Sequence, residues 1–221
     1  MPAGIKSFFL DGPAGRLEAL LNEGRPDATH VSLVCHPHPL YGGTMHNKVV
    51  YHAMKALNGF GFPVLRFNFR GAGISEGEHD KGRGEVDDVR AAIGWLRSEF
   101  RKPIIFCGFS FGAATGLRAA CDSAGIAALI SLGTPVAAED RVYTYGFLAG
   151  CGRPKLFVSG ALDPFGPQEN LRLVVDAAPE PKELVFIDGA DHFFEGHLAE
   201  MQSAIHDWIS KLLPPDRPEQ R

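Results

Sequence analysis

With 221 residues, 45% hydrophobic and 22% charged, the chain has an ordinary globular composition and enough length for one sizeable core. A formal net charge of −4 without a sustained Lys or Arg run argues against nucleic acid as a partner, and the apolar runs are too short to span a membrane. The N-terminal "MPAGIKSFFLDGPAG" lacks the pattern of a secretory signal, and Cys35, Cys107, Cys121 and Cys151 lack CxxC spacing, so a reducing, cytoplasmic setting is expected.

The first elements read as two strands, "IKSFFL" and "RLEALL", joined by the turn signal "DGPAG". A strongly apolar strand comes next over "HVSLVCH" (30–36). Asn47 is placed to cap a helix over "KVVYHAMKALNG", with Gly59 near its end. "FPVLRFNF" is the next strand, and "GEVDDVRAAIGWLRSEF" an amphipathic helix with Val89, Ile93 and Leu96 on one face. Then come a strand over "KPIIFC", a helix from about Phe111, a strand over "IAALISL" and a mixed stretch. "RPKLFVSG", "PQENLRLVVDAA", "KELVFIDG" and "HLAEMQSAIHDWISKLL" read as strand, helix, strand and closing helix. This alternation, with strands apolar nearly throughout, predicts one α/β domain over 1–213: a mostly parallel, doubly wound sheet with helices on both faces. The polar, proline-rich "PPDRPEQR" from Pro214 is expected to be a loose tail over 214–221. In such sheets ligands bind beyond the carboxyl ends of the strands, so the strand-to-helix loops carry the interest.

The pattern G-x-S-x-G occurs twice, as "GISEG" (73–77) and "GFSFG" (108–112). A serine activated this way needs a strand that ends sharply into a helix, which exposes the hydroxyl and aims the helix N-terminus at a developing oxyanion. "GFSFG" has that context. "GISEG" runs instead into "EHDKGRGE", a polar glycine-rich loop, where glycine and serine are turn formers first. Ser110 is therefore the candidate nucleophile. Its hydroxyl needs a base, and the base an acid that holds its tautomer. His192, in "IDGADHFF" directly after a strand, is the best-placed base. His197 and His206 fall near the start of and inside the closing helix. Asp163, in "FVSGALDPFGP", is the candidate acid, with Glu139 and Asp140 as alternatives; Asp176 sits late in a helix, and Asp188 and Asp191 are near enough to His192 to shape its loop. For the oxyanion, Phe111 offers one N–H by geometry. A second is expected from "HPHPLYGGTMHNK", where Pro37 and Pro39 have none to give, leaving His38 and then Leu40.

Taken together, "HPHPLYGGTMHNKVV", "FNFRGAGISEGEHDKGRGEVDD", "CGFSFG", "SGALDPFGP" and "GADHFF" resemble the α/β-hydrolase superfamily over nearly the whole chain to about Leu213, in particular small bacterial hydrolases without a large lid that are broadly similar to dienelactone hydrolases. The resemblance implies nucleophile Ser110, acid Asp163 and base His192, with oxyanion amides at Phe111 and near His38. The chain departs from it in reading "HPHP" where many members have His-Gly, and in carrying serine where dienelactone hydrolases proper have cysteine. The expected activity is hydrolysis of small carboxylic esters or thioesters through an acyl-serine, with a small-molecule acyl substrate and no cofactor. Peptidase or carbon–carbon hydrolase activity, and a non-catalytic binding role on the same fold, are the alternatives.

His36-x-His38 with His46 and His52 raises a metal site, but no further Cys/His/Asp cluster has familiar ligand spacing, and no metal is expected. Only "GTPVAAEDRVYTYGFLAGCG" stands where a lid would be inserted. Its Tyr143, Tyr145, Phe147 and Leu148 are expected to form one short helix at a substrate rim, joined by Tyr41, Phe193 and Phe194. Arg70 is expected to be structural, bonding carbonyls or a carboxylate. Nothing in the sequence specifies an oligomeric state.

Overall fold

The computed structural model describes residues 4–138 and 141–214. In chain order the elements are β1 (Ile5–Gly12), β2 (Gly15–Asn22), β3 (Val31–Cys35), α1 (Lys48–Gly59), β4 (Val64–Phe67), α2 (Gly84–Phe100), β5 (Ile104–Phe109) and α3 (Phe111–Asp122). They continue with β6 (Ile126–Leu132), β7 (Ala137–Ala138), β8 (Arg141–Val142), β9 (Lys155–Gly160), α4 (Gln168–Asp176), β10 (Lys182–Ile187) and α5 (Leu198–Leu212). Eight strands form one sheet in the order β1-β2-β4-β3-β5-β6-β9-β10. β1, β2 and β4 pair antiparallel, and every pairing from β4 to β10 is parallel.

The apolar strands are buried on both faces because alternate residues feed two cores. Ile104 and Phe106 pack with Val89, Ile93 and Leu96 of α2, Leu117 of α3 and Leu171 of α4. Ile105, Cys107 and Phe109 pack with Val50 and Leu57 of α1 and Ile205 and Trp208 of α5. The three α2 residues expected on one face are all in the first core. Asn47 caps α1, its Oδ1 accepting the Val49 N–H at 2.9 Å. The chain steps from β3 outward to β4 and then returns past β3 to lay down β5, so the direction of winding reverses between β3 and β5. That reversal opens a crevice at the carboxyl ends of these two strands, where such sheets bind ligands. The loops leaving them carry His38 and Ser110.

The stretch after β6 departs from expectation. The expected short helix is met only in part. The two-residue ribbon β7–β8 comes first, and a five-residue 3-10 helix follows over Gly146–Gly150 that contains Phe147 and Leu148 but not Tyr143 or Tyr145. Glycines at both ends of that turn and Pro135 before the ribbon disfavour a continuous α-helix. Glu139 and Asp140, the alternative acids, lie outside the described residues, as does the tail beyond Pro214. No helix among the described residues is long and apolar enough to cross a membrane.

Candidate active site

Ser110 occupies the turn from β5 into α3 with φ 55° and ψ −120°, a conformation that L-residues rarely adopt. Its flanking glycines are required by close approach. A Cβ at Gly108 would fall 2.5 Å from the Gly112 carbonyl oxygen, and one at Gly112 would fall 2.4 Å from that of His36. The helix can therefore start directly on the strand ends. The Ser110 N–H donates to the Leu132 carbonyl at 2.9 Å, tying the turn to β6, and the Ser110 carbonyl accepts from Ala113 and Ala114. The N–H groups of Phe111 and Gly112, in the first turn of α3, have no acceptor inside the helix, and its dipole favours negative charge beside them.

His192 sits on the loop after β10, 5% exposed, and its Nε2 lies 2.9 Å from Ser110 Oγ. Its Nδ1 is 2.8 Å from Oδ2 of Asp163, on the loop after β9. Both ring nitrogens are spoken for by groups of opposite kind. A carboxylate only accepts, so Nδ1 carries the proton and Nε2 is left to accept from the serine hydroxyl. Asp163 is held in turn: Oδ1 accepts from the Phe165 and Gly166 N–H groups at 2.8 and 3.3 Å, and Oδ2 from Ser159 Oγ at 3.3 Å. The rings of Phe109, Phe165 and Phe193 surround the imidazole with centroids 4.7–5.2 Å away. Gly133, at φ +50°, leaves space beside it: a Cβ there would sit 3.2 Å from His192 Cε1. Asp191 shapes the loop as expected, its Oδ1 accepting from the Phe193 and Glu195 N–H groups. His197 and His206 lie instead beside Glu200 and Asp207.

Across the crevice, His38 precedes a 3-10 turn over Pro39–Tyr41, and its Nδ1 accepts the Leu40 N–H at 3.2 Å. The Leu40 amide is thus used inside the turn, which leaves His38 as the candidate second oxyanion donor on this loop. His36 holds the loop to the sheet. Its Nδ1 donates to the Pro37 carbonyl at 2.6 Å and its Nε2 accepts the Phe69 N–H at 3.0 Å. Burial pushes its pKa down to about 3, so it stays neutral. With both nitrogens engaged, His36 is closed to a metal, and no group of three or more metal-ligating side chains occurs among the described residues.

The rim differs from expectation in part. Tyr41 is 77% exposed and packs its ring 4.9 Å from His38, and Phe193 is 42% exposed beside His192. Tyr145 and Phe147 are not brought to Ser110. Tyr145 is buried in the α2–α3 core, its hydroxyl donating to the Pro135 carbonyl at 2.5 Å, and Phe147 lies under the Arg118 guanidinium, about two turns into α3. Leu148 and Phe194 are buried as well. Without a continuous α-helix, the segment presents no outward apolar stripe, and its aromatic residues turn inward, Tyr145 buried in the core and Tyr143 and Phe147 partly buried against it. Phe165, set beside His192, and the exposed Leu40 two residues after His38 take their place, and neither stands out in the sequence as a rim residue. His79, which packs against Phe111 and His38 and lies beside Glu85 at the start of α2, is likewise hidden in a polar loop when only the sequence is read. A cleft of about 460 Å³ lined by Arg97, Arg101, Lys102 and Gly125 opens at the amino ends of β5 and β6, a full strand length from Ser110.

A doubly wound sheet with a serine held at a strained strand-to-helix turn defines an α/β hydrolase. The model of the family described as serine aminopeptidase, S33, matches residues 33–151. An uncharacterized Rickettsia prowazekii protein is 36% identical over 212 residues, covering 93% of this chain and 89% of its own. Among solved structures, an α/β serine hydrolase homologue from Coxiella burnetii shares 38% identity with a TM-score of 0.83, covering 92% of this chain and 97% of its own. A Xanthomonas campestris α/β serine hydrolase without a lid shares 32% with a TM-score of 0.84, covering 98% and 99%. The chain belongs to this family of lid-less α/β serine hydrolases.

Proposed function

We propose that the protein hydrolyses small carboxylic esters or thioesters through a covalent acyl-Ser110 intermediate, with His192 as general base and acid and Asp163 as the group that orients it. The observation that carries this reading is the unbroken line Ser110 Oγ–His192–Asp163, at 2.9 and 2.8 Å, drawn from three separate strand ends. As Oγ bonds to the acyl carbon, its proton passes to His192 Nε2, and Asp163 steadies the resulting imidazolium. The carbonyl electrons move to oxygen, which the Phe111 and His38 N–H groups receive. Collapse expels the alcohol or thiol, protonated by His192. A water molecule then attacks the acyl-enzyme, giving up its proton to the same nitrogen. Collapse of the second tetrahedral intermediate breaks the acyl–Oγ bond, releases the carboxylic acid and returns the proton from His192 to Ser110 Oγ.

Amide hydrolysis is the second reading, because the matching family is described as serine aminopeptidase. An aminopeptidase must hold a terminal ammonium, and among the described residues the carboxylates on the loops around the site already receive protein groups: Asp163 from Phe165, Glu85 from Asp80 and Gly82, Asp191 from Phe193. This favours esters and thioesters.

The exposed rim supplies apolar contact without a deep enclosure. Each buried methylene is worth about 0.8 kcal/mol, so kcat/KM is expected to rise over the first few acyl carbons and then flatten. A panel of acyl esters, thioesters and aminoacyl amides across chain length tests both points. A continued rise to long-chain lipids, or a preference for aminoacyl amides, overturns the short-acyl esterase reading.

A further inference from the structure

Glu85, in the first turn of α2, is fully buried at the mouth of the site. Its Oε1 accepts the Asp80 N–H and its Oε2 the Gly82 N–H, each at 2.8 Å. Those bonds close the loop before the helix, and an acidic residue there also suits the helix dipole. Neither role accounts for its third neighbour. His79 Nδ1 lies 2.6 Å from Oε1, with side-chain exposures of 9% for the histidine and 0% for the glutamate. The contact is close but not aligned as a hydrogen bond, so His79 Nδ1 is buried against the carboxylate without a hydrogen-bond partner, and the ring is held there by close contact. The His79 ring then packs 4.7 Å from the His38 ring and 5.6 Å from the Phe111 ring, centroid to centroid. His38 and Phe111 also touch each other, at 4.8 Å. These are the two residues whose backbone amides the proposed mechanism assigns to the oxyanion.

We propose that His79, anchored by Glu85, is a positioning residue that holds His38 and Phe111 so that their amides converge on the oxyanion. This rests on the acyl-Ser110 reading and deepens it. The arrangement is related to the other side of the crevice, where a carboxylate fixed by backbone amides also lies against one edge of an imidazole, although the contact there is an aligned hydrogen bond and here it is a close ion-pair distance. There Asp163 sets His192 for proton transfer. Here Glu85 sets His79 as a wedge behind the amide donors. The bond from the Leu40 N–H to His38 Nδ1 shapes the turn from within, whereas the His79 ring ties His38 to a separate segment of the chain. Preorganised donors stabilise charge that develops in the transition state, so a slack wedge reduces turnover more than ground-state binding.

The test compares wild type, His79→Ala and His79→Gln in the full-length protein, with rates divided by the concentration of sites that a fluorophosphonate titrates. Expected for His79→Ala is a loss in kcat of about tenfold to a hundredfold with KM for a small neutral ester changed less than about threefold. The inhibition constant of an alkyl boronic acid, which forms a tetrahedral adduct on the serine, should rise by the same factor as kcat/KM falls. That of the carboxylic acid product should not move. His79→Gln, which keeps a polar side chain beside Glu85 and fills part of the space behind His38, should lose less, and added imidazole should restore part of the rate of His79→Ala. A kcat and boronate affinity within about twofold of wild type in both variants overturns the proposal. So does a loss that disappears once rates are divided by titrated sites, which would make His79 a matter of folding alone. Ser110→Ala run alongside reads the underlying assignment separately: if it keeps near wild-type activity, the acyl-serine reading fails, and the role of His79 with it.

Discussion

Two serines in this chain sit in the same five-residue pattern, and the protein uses them in opposite ways. Ser75, in Gly73–Gly77, is buried, donates its hydroxyl to the Asn68 carbonyl at 2.7 Å and accepts the Glu18 N–H at 2.9 Å. Its donor and acceptor capacity is spent on joining the loop after β4 to β2. The Ser110 hydroxyl instead meets a side chain, His192 at 2.9 Å, and its backbone is held at φ 55°. One side chain is satisfied in a relaxed turn. The other is kept available by a strained one. The difference lies downstream of each motif: an irregular loop after Gly77, and after Ser110 a twelve-residue helix whose N-terminus faces the crevice.

The largest expected effects test this contrast directly. Ser110→Ala should abolish labelling by a fluorophosphonate and cut turnover by several orders of magnitude, with a residual rate from the oxyanion donors. Ser75→Ala should keep labelling and turnover per folded molecule while lowering stability by about 1–3 kcal/mol, the cost of a buried donor and acceptor left unpaired. Glycine sharpens the comparison. Ser110→Gly should raise the melting temperature by relieving backbone strain of about 1 kcal/mol or more, whereas Ser75→Gly should lower it. Near wild-type ester turnover in Ser110→Ala would break the contrast.

Next in size is the support behind His192. Asp163→Asn preserves shape but no longer forces the Nδ1 proton, and a loss in kcat on the order of 10⁴-fold is expected with little change in unfolding midpoint. Single-turnover acylation rates check it. Unchanged acylation would move the orienting role to another group.

Arg70 tests the Ser75 side of the comparison. Its Nε and Nη2 reach Asp88 at 2.6–3.0 Å, and its own N–H donates to the same carboxylate at 3.1 Å. Both side chains are largely buried, at 10% and 0% exposure. Arg70→Ala leaves an unpaired buried carboxylate and should cost about 3–5 kcal/mol in denaturant unfolding, with kcat per titrated site nearly unchanged. A folded Arg70→Ala protein with normal stability and reduced affinity for anionic esters would place Arg70 in substrate binding instead.

The legibility of the fold and site in the sequence divides along the same line. The alternation of strand and helix, the choice of Ser110 over Ser75, and the order Ser110, Asp163, His192 all depend on local context that a linear pattern contains: a β-branched run, a glycine pair, a helix after it. Asn47 at the α1 cap is legible for the same reason. The features that escape depend on how irregular segments fold back in space. Tyr145 and Phe147 lie in a stretch without a helical or strand period, so the sequence offers no sign of which way they face. His79 lies in a polar glycine-rich loop and Glu85 six residues on in the first turn of α2, and only the turn at Asp80–Gly82 brings them together. Two buried partners spaced like this carry no periodic signature. A charged residue directly after a glycine and just inside a helix start reads as an ordinary first-turn acid.

The smallest effect concerns the fit of the imidazole. Gly133, at the end of β6, has φ +50°, and a Cβ there would lie 2.9 Å from Phe109 Cε2 and 3.2 Å from His192 Cε1. Alanine at this position takes a left-handed conformation at a cost of about 1–2 kcal/mol, and its methyl group presses on Cε1 and Nδ1 of the ring whose Nε2 must stay at Ser110 Oγ. The Phe109 ring can yield by rotating, and His192, gripped by Asp163, yields less. Gly133→Ala should therefore fold with a modestly lower melting temperature and lose about tenfold in kcat, because a shift of a few tenths of an ångström at the base is enough to spoil proton transfer. The equivalent change at Gly77 in the Ser75 motif, where φ is +81° and Ala14 lies 2.9 Å from the Cβ position, imposes the same kind of strain against Ala14 rather than against His192. It should lower stability without touching kcat per titrated site. If both substitutions act on stability alone, His192 has more freedom than its contacts imply, and the packing around it is not what sets the position of the base.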